Sequence, residues 1–376
     1  MSPFGEQRRR LTAAMDQRGA WPNRSPWIRE AVDALPRDLF APDRLWRWDG
    51  HTYTPLDREA DAEAWGAEVC ADPDAAAVTQ VTEGRASSSL SCQAVVVDML
   101  DSLLLEPGQR VLELGTGTGW NAALLAHRAG PHRVTSVEVD PELAAAARKR
   151  LETAEARVEV EVGDGTAGWS QGAPYDRVIS TYAVDRVPWA WVAQTRPGGR
   201  IITPWGWLGH VALTVATDGR SATGWVQGLA QFMPARGTHS GLEDFSQVRG
   251  GHPAADERPW ERDLAPLRDD WHLRFALRVA LPEVRITVAA DDDGLNAWLH
   301  DGTTSWAALS ALGDGKTLTY QGGPRRLADE LENAWDGWLD AGNPELYDYG
   351  LTVEPHRQYA WTRDAQTGLR WPLAPQ

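Results

Sequence analysis

Short apolar runs alternate with helix-like segments between residues 106 and 235. The runs cover residues 111–114, 134–138, 158–162, 177–181 and 197–202, and each ends at, or is followed directly by, a glycine, an acid or a hydroxyl residue. Apolar runs of this length, separated by helical segments, are typical of strands buried in a parallel sheet with right-handed crossovers. The pattern therefore predicts an α/β fold with a Rossmann-like core over residues 81–240.

The flanking parts of the chain have weaker patterns. Residues 1–80 are predicted to form a mostly helical N-terminal segment, with one helix over 27–35, and an apolar helix is expected over 93–105. Glycine and proline among charged residues predict a linker over 241–265. Residues 266–376 are predicted to be a small α+β domain, with strands at 285–288, 297–300 and 318–320 and a helix over 327–339.

A glycine-rich turn follows the first apolar run. Gly115, Gly117 and Gly119 alternate with threonines and lead into an apolar, helix-like stretch. Glycines allow a close backbone approach to a ligand, and a helix N-terminus offers free N–H groups. The spacing G-x-G-x-G is one residue shorter than the dinucleotide fingerprint G-x-G-x-x-G. A strand–helix turn without a ligand remains the alternative for this motif alone.

An acid ends the second run and another follows the third, and both favour a bound ligand over a ligand-free turn. Glu138 lies where an α/β unit presents a carboxylate to the two hydroxyls of a ribose, and Asp164 could accept a hydrogen bond from an adenine amino group. The alternatives are a solvated strand-end acid for Glu138 and a turn-forming Asp-Gly pair for Asp164. Because no Walker lysine occurs at the turn, the three signals favour S-adenosylmethionine (SAM) over a phosphate-bearing nucleotide. The predicted cofactor-binding residues are Glu113, Gly115, Thr116, Gly117, Thr118, Gly119, Asn121, Glu138, Val139, Gly163, Asp164, Gly165 and Thr181.

Composition excludes several classes of partner. The formal net charge of −16 over 376 residues argues against nucleic acid, which requires a basic face. Only Cys70 and Cys92 are present, so no disulfide framework is indicated, and no apolar run approaches membrane-spanning length. The histidines lack metal-ligand spacing, so no metal is expected. We expect a soluble, cytoplasmic monomer that binds a peptide; the 20 tryptophans could line a groove or pack in the cores.

Five segments together resemble the protein-L-isoaspartate O-methyltransferase family. Residues 115–121 (Gly-Thr-Gly-Thr-Gly-Trp-Asn) are similar to its first motif, and residues 173–179 and 196–200 to later ones. Residues 35–42 (Leu-Pro-Arg-Asp-Leu-Phe-Ala-Pro) resemble its N-terminal Pro-Arg-x-x-Phe-x-Pro signature, and residues 89–93 its Thr-Ile-Ser-x-Pro segment. The resemblance spans roughly residues 30–230 and implies a class I SAM-dependent methyltransferase.

The sequence departs from that family in informative places. Ser89 and Gln93 replace the threonine and proline of Thr-Ile-Ser-x-Pro, and Tyr182 and Asp185 interrupt a small-residue run after the fourth strand. The chain also continues well beyond the point where repair enzymes of the family end. That extension resembles the methyltransferases of graspetide, lanthipeptide and lasso peptide pathways, notably at residues 305–307 and 322–327 and, more weakly, at 350–353. It implies methylation of an aspartate in a ribosomally made, macrocyclic peptide, leading to a succinimide (aspartimide) or isoaspartate.

By the same resemblance, Ser91 would contact the acceptor carboxylate, with Ser89 as a companion. N-capping of the following helix is the alternative for both serines. Thr181 and Tyr182 lie where substrate would meet cofactor, although Tyr182 could equally be packing. Three other functions stay open at this point: a general isoaspartyl repair enzyme, a peptide-binding scaffold with a vestigial SAM fold, and a small-molecule O-methyltransferase, which would need a base near the fourth strand.

Overall fold

The computed structural model describes residues 4–206, 208–236, 244–251 and 253–373, which divide into two units. The first unit contains the described residues up to Trp205, together with His210–Ala235 and Val353–Pro355. The second contains the described residues of Gly206–Gly209, Arg236–Thr352 and His356 onward.

The N-terminal part of the first unit mixes helices with a four-stranded antiparallel sheet. Its elements are α1 (Gly5–Gln17), α2 (Trp27–Ala34), β1 (Arg44–Trp48), β2 (Tyr53–Asp57), α3 (Ala62–Val69), β3 (Ala77–Thr82) and β4 (Arg85–Leu90), with sheet order β2-β1-β3-β4. The predicted helix over 27–35 is confirmed, but the prediction of a mostly helical segment is wrong for β1, β2 and the start of β3. Among the residues of β1 and β2, Leu45 alone is buried, so the period-2 hydrophobic signal of a strand is missing.

The rest of the first unit is built on a parallel sheet. Its elements are α4 (Gln93–Leu103), β5 (Val111–Leu114), α5 (Trp120–Ala129), β6 (Val134–Glu138), α6 (Pro141–Thr153), β7 (Val158–Val162), β8 (Tyr175–Ser180), α7 (Trp189–Ala193), β9 (Thr195–Trp205), β10 (Gly209–Val215) and β11 (Ala222–Leu229). The strand order is β11-β10-β9-β8-β5-β6-β7, and strands β5 to β9 pair in parallel. All residues of β5 and β6 are buried, among them the polar Glu113, Thr135 and Ser136, as expected for strands covered on both faces of a parallel sheet. The predicted α/β architecture is confirmed.

The second unit is an α+β assembly with a core of its own. Its elements are α8 (Phe245–Arg249), β12 (Asp256–Trp260), α9 (Ala265–Asp269), α10 (Trp271–Ala280), β13 (Arg285–Asp291), β14 (Gly294–His300), β15 (Trp306–Ala311), β16 (Thr317–Gly322), α11 (Leu327–Asp340), β17 (Tyr349–Val353), β18 (Gln358–Thr362) and β19 (Arg370–Pro372). Strands β12 to β16 form an antiparallel sheet of order β12-β16-β15-β14-β13. Leu273, Leu299, Leu309 and Leu331 are fully buried in its core, and Trp335 packs with them.

Two sequence predictions change in this unit. Strands β15, β17, β18 and β19 and helices α9 and α10 were not predicted, and the predicted linker over 241–265 contains α8 and β12 in its described part. Pro259 disfavours a strand, because proline has no backbone N–H to donate to a neighbouring strand. Strand β12 lies at the edge of its sheet, where the missing N–H is tolerated. The predicted strands at 285–288, 297–300 and 318–320 and the helix over 327–339 are present. Within the described ranges, no helix is both long and apolar enough to cross a membrane.

Candidate cofactor and acceptor site

The glycine turn between β5 and α5 adopts a conformation that its glycines make possible. Gly115, Gly117 and Gly119 have φ of 93°, 53° and 88°, in the left-handed region that other residues rarely adopt. A Cβ on Gly115 would lie 2.5 Å from the Oγ1 atom of Thr181, so a side chain does not fit there. A Cβ on Gly117 would meet nothing closer than 4.0 Å, which leaves open space above the middle of the turn.

Glu138 holds this turn from the end of the neighbouring strand. Its Oε2 accepts the backbone N–H of Gly117 at 2.9 Å, and its Oε1 accepts the N–H of Asp140 at 3.1 Å. The side chain is nearly buried, whereas the next residue, Val139, is exposed. The structure therefore places the carboxylate of Glu138 directly against the glycine turn.

Glu113 lies beneath the turn and supports it. The side chain is completely buried and accepts hydrogen bonds from Asn121 Nδ2, at 2.8 Å, and from the Ser136 hydroxyl. Ser136 also shares a hydrogen bond of 2.6 Å with Thr116, which is buried like Thr118. Burial, reinforced by the negative charge of Glu138, raises the pKa of Glu113 to about 7. Glu113 was predicted to bind the cofactor, but its burial gives it a supporting position instead.

The third strand brings Asp164 to the same edge of the sheet. Its exposed carboxylate accepts hydrogen bonds from the backbone N–H of Thr166, at 2.9 Å, and from the Thr166 hydroxyl, at 2.7 Å. It thus caps the short 3-10 turn that begins at Gly165. Gly163, just before it, donates its N–H to the carbonyl of Glu138 at 3.0 Å, which ties the two strand ends together. The turn-forming role considered for Asp164 is present, and its exposure leaves the carboxylate accessible to a ligand.

Thr181 and Tyr182 form the wall on the side of the fourth strand. The Thr181 hydroxyl donates to the carbonyl of Gly115, and the Tyr182 ring lies against both Gly115 and Gly165. The ring also makes an edge contact with Trp191, with centroids 6.1 Å apart. Burial, with the nearby charges of Asp164 and Glu138, raises the pKa of Tyr182, so the phenol stays protonated. Tyr182 therefore packs at the site, between its two glycine-containing turns.

The serine cluster reaches the turn from the N-terminal sheet. A Cβ on Gly117 would lie 4.0 Å from both the Ser88 hydroxyl and the carbonyl of Ser89. Ser89 is in β4, paired with Val78, and Ser91 lies between β4 and α4. Neither side chain caps α4, whose N-cap residue is Cys92. The structure thus places the predicted acceptor segment beside the predicted cofactor turn.

Sequence reasoning missed a polar connection between the N-terminal sheet and the start of α6, two residues after Glu138. Gln80 of β3 donates to Asp140 at 3.1 Å and accepts from Ser87 at 2.9 Å. Asp140 in turn caps α6 by accepting the N–H of Glu142 at 2.9 Å. The Asp-Pro pair at the start of α6 is a recognisable helix-start signal. Gln80 carried no comparable signal, because its partner lies 60 positions away in the chain.

The residues present suit a nucleoside-bearing cofactor. An open turn, two acids at adjacent strand ends and a nearby aromatic ring form one edge of a parallel sheet, where α/β folds bind such ligands. A lysine for phosphate is absent from this turn. Across the parts of the chain that the structure describes, no group of three or more His, Cys, Asp or Glu side chains is arranged to hold a metal ion.

Comparison with known proteins agrees with this geometry. The model of the family "Protein-L-isoaspartate(D-aspartate) O-methyltransferase (PCMT)" matches residues 9–226. A protein-L-isoaspartate O-methyltransferase of Hyperthermus butylicus is 34% identical over 230 residues, which are 58% of this chain and 83% of the relative. Another, from an Anaeromyxobacter species, is 39% identical over 185 residues, 49% of this chain and 74% of the relative. A solved structure of that name covers 92% of this chain and 96% of its own, with 22% identity and a TM-score of 0.47.

The family match covers more than half of the chain and includes the glycine turn, Glu138, Asp164 and the serine segment. The alternative of a scaffold with a vestigial cofactor fold is therefore wrong, and the chain is an enzyme whose cofactor is SAM. Its parallel-sheet unit is the class I methyltransferase core. This chain belongs to the protein-L-isoaspartate O-methyltransferase family.

Proposed function

We propose that this enzyme methylates the side-chain carboxylate of an aspartate in a ribosomally made, macrocyclic peptide in the cytoplasm. The observation that carries the proposal is the second unit. It lies almost wholly outside the family match at residues 9–226, yet it has a five-stranded sheet and a buried core. A folded unit of this size suits recognition of a structured peptide better than recognition of an isolated damaged residue. We therefore assign peptide recognition to the second unit.

The chemistry asks little of the protein beyond positioning. SAM, when bound, supplies an electrophilic methyl group. An aspartate carboxylate is already ionised near neutral pH, so the acceptor needs no general base. The residues must hold the carboxylate in line with the methyl group and exclude water. Such alignment lowers the activation barrier by several kcal/mol. No histidine occurs in the sequence between His132 and His210, which is consistent with this requirement.

The residues of the site divide this work between them. Glu138 would hold the ribose hydroxyls and Asp164 the adenine amino group, while Gly117 lets the cofactor approach the backbone. Ser91, with Ser89 as its companion, would bind the acceptor carboxylate from the other side. The closeness of Ser88 and Ser89 to Gly117 supports a shared site for cofactor and acceptor.

Methylation changes the fate of the aspartate. The methyl ester can lose methanol when its carbonyl is attacked, whereas the free carboxylate has no comparable leaving group. The next backbone amide nitrogen can attack the ester carbonyl, expel methanol and close a five-membered succinimide. Relative to the starting peptide, the net change is the loss of one water. Hydrolysis of that ring then gives a mixture of aspartate and isoaspartate.

A general isoaspartyl repair enzyme is the second candidate. The relatives named above, matched over most of their length, favour it. The two candidates differ in the acceptor, because repair requires isoaspartate and peptide tailoring requires normal aspartate.

Mass spectrometry of the full chain with SAM would distinguish them. The substrates are an isoaspartyl peptide, its aspartyl twin, and a macrocyclic peptide encoded beside the gene, with its linear form as control. We expect methylation of the macrocycle, followed by a net loss of one water, and none of its linear form. Methylation of the isoaspartyl peptide alone would establish repair and contradict the proposal.

Ser91→Ala tests the acceptor role directly. Loss of a hydrogen bond to a carboxylate should lower kcat/KM for the peptide about tenfold to a hundredfold, while the Kd for SAM stays unchanged. Ser170→Ala, at an exposed serine outside the site, is the control. Equal kcat/KM for Ser91→Ala and the wild type would remove Ser91 from the mechanism.

A further inference from the structure

Arg37 is a cation buried within the first unit. Its side chain lies in the interior, with 2% of the residue exposed, at the start of the short 3-10 turn Arg37–Leu39. The neighbouring acid, Asp38, pairs instead with Arg8 at 2.5 Å. No carboxylate among the described residues forms an ion pair with Arg37, and burial lowers its pKa to about 10, so it remains charged.

The guanidinium binds the backbone just before α4. Its Nη2 donates to the carbonyl of Ser91 at 2.8 Å and to that of Leu90 at 3.2 Å. Nε and Nη1 have no hydrogen-bond partner in the part of the chain that is described. The side-chain hydrogen bonds that Arg37 makes thus all go to the end of the serine segment.

The same side chain also contacts the start of α5. The Cζ atom of Arg37 lies 5.5 Å from the ring centroid of Trp120, a cation–π distance. Trp120 follows Gly119 directly, and its indole N–H donates to the carbonyl of Leu35 at 2.8 Å. Arg37 therefore touches both segments that the reaction must align, the acceptor segment and the end of the glycine turn.

Stability alone does not account for this arrangement. Burying a charge without a counter-ion is costly, and an apolar side chain of similar volume would fill the space at lower cost. Charged donors do, however, fix carbonyl groups more strongly than neutral ones. Two adjacent carbonyls fixed in this way set the direction of the Ser91 backbone, and hence of its side chain.

We propose that Arg37 is a positioning residue for methyl transfer, which holds Ser91 in the orientation that presents the acceptor carboxylate to the cofactor. This inference rests on the proposed function, in which Ser91 contacts the acceptor. Arg37 itself does not touch the reacting atoms; it acts through the backbone of the serine segment and through Trp120.

Arg37→Met and Arg37→Lys, in the full chain, test the proposal. Met keeps much of the volume and removes the donors, whereas Lys keeps the charge but not the planar fork. The matched control is Arg200→Met, because Arg200 donates to the carbonyl of Ser102, near the other end of α4, at 2.6 Å. The measurements are kcat and KM for the peptide, the Kd for SAM by calorimetry, and amide hydrogen exchange over residues 88–96.

For Arg37→Met we expect kcat/KM for the peptide to fall about tenfold to a hundredfold, with the Kd for SAM within about threefold of wild type. Exchange should rise over residues 88–96, and Arg37→Lys should recover part of both effects. Arg200→Met should leave all three quantities near the wild-type values. Unchanged kcat/KM in Arg37→Met, or a loss matched by Arg200→Met, would overturn the proposal.

Two further outcomes are informative. If Arg37→Met does not fold, Arg37→Lys decides: a loss of about tenfold in kcat/KM at unchanged SAM affinity supports positioning, and wild-type kinetics overturn it. If the wild type methylates none of the peptides, the proposed function fails by itself. Hydrogen exchange then still tests the positioning of Ser91, since it needs no turnover, and unchanged exchange in both Arg37 variants overturns it.

Discussion

Replacement of Glu138 by glutamine is the sharpest test of the cofactor site. The two side chains have the same shape, but the variant loses the charge and one of two acceptor oxygens. In the structure both oxygens already accept backbone N–H groups, those of Gly117 and Asp140. A glutamine must therefore turn its NH₂ group toward one N–H donor, and it also offers a ribose hydroxyl one acceptor fewer.

The expected cost follows from these contacts. One hydrogen bond to a charged group contributes about 2 kcal/mol, and 1.4 kcal/mol corresponds to a factor of ten in affinity. The Kd for SAM should therefore rise about thirtyfold in Glu138→Gln. The N–H of Gly117 then has either no acceptor or a neutral one, so the turn should also become less rigid. The Kd for S-adenosylhomocysteine should rise by a similar factor.

Isothermal titration calorimetry of the full chain measures both affinities. Glu159→Gln is the matched control, since Glu159 is an exposed glutamate on strand β7, which pairs with the strand that carries Glu138. A thermal melt of each variant establishes that it is folded. If folded Glu138→Gln bound SAM within twofold of the wild type, the ribose role of Glu138 would be refuted.

Three further perturbations test other parts of the structure. Burial raises the pKa of Glu113 in the folded protein from 4.5 to about 7, so between these values the folded protein retains a proton that the unfolded chain releases. The free energy of unfolding should therefore fall as the pH rises from about 5 to 7. Urea denaturation should show a smaller fall for Glu113→Gln. Gly115→Ala should weaken SAM binding and stability, measured by calorimetry and denaturation, more than Gly130→Ala, because both positions have positive φ but the latter has nothing within 4 Å of a Cβ. Trp335→Ala should destabilise the chain by about 3–5 kcal/mol, measured by denaturant unfolding, and exposed Trp271→Ala far less; equal losses would contradict the core assigned to the second unit.

The parallel sheet and its ligand edge could be predicted because local sequence determines both. Strands β5 and β6 are buried along their whole length, so neither shows the strict alternation of apolar and polar residues that is typical of a half-buried strand. The glycines of the turn need positive φ, and that requirement is visible as residue type. Glu138 and Asp164 then follow from strand ends alone, because the carboxyl ends of parallel strands meet at one edge of a sheet.

The N-terminal sheet could not be predicted in the same way. Strands β1 and β2 bury little, and their pairing brings Trp48 and Tyr53 to a ring distance of 5.0 Å across a hairpin. Cross-strand pairs of this kind stabilise a sheet without producing alternation along either strand. Strand β4 presented a related difficulty, because four polar or small residues, Ala86 to Ser89, resemble a loop in isolation. Their strand conformation depends on pairing with β3.

The contacts that matter most to the site share a property that explains why sequence reasoning passed over them. Glu138 binds the N–H of Gly117, and Arg37 binds the carbonyl of Ser91, so in both cases a charged side chain holds a backbone group. Every residue offers a carbonyl and nearly every residue an N–H, so the partner position carries no mark of the contact in its side chain. Such contacts fix the backbone and, through it, the direction of the side chain at the contacted residue. A substitution of the partner residue therefore spares the contact, whereas a substitution of Glu138 or Arg37 should remove it, and this asymmetry separates positioning by the backbone from direct chemistry at Ser91.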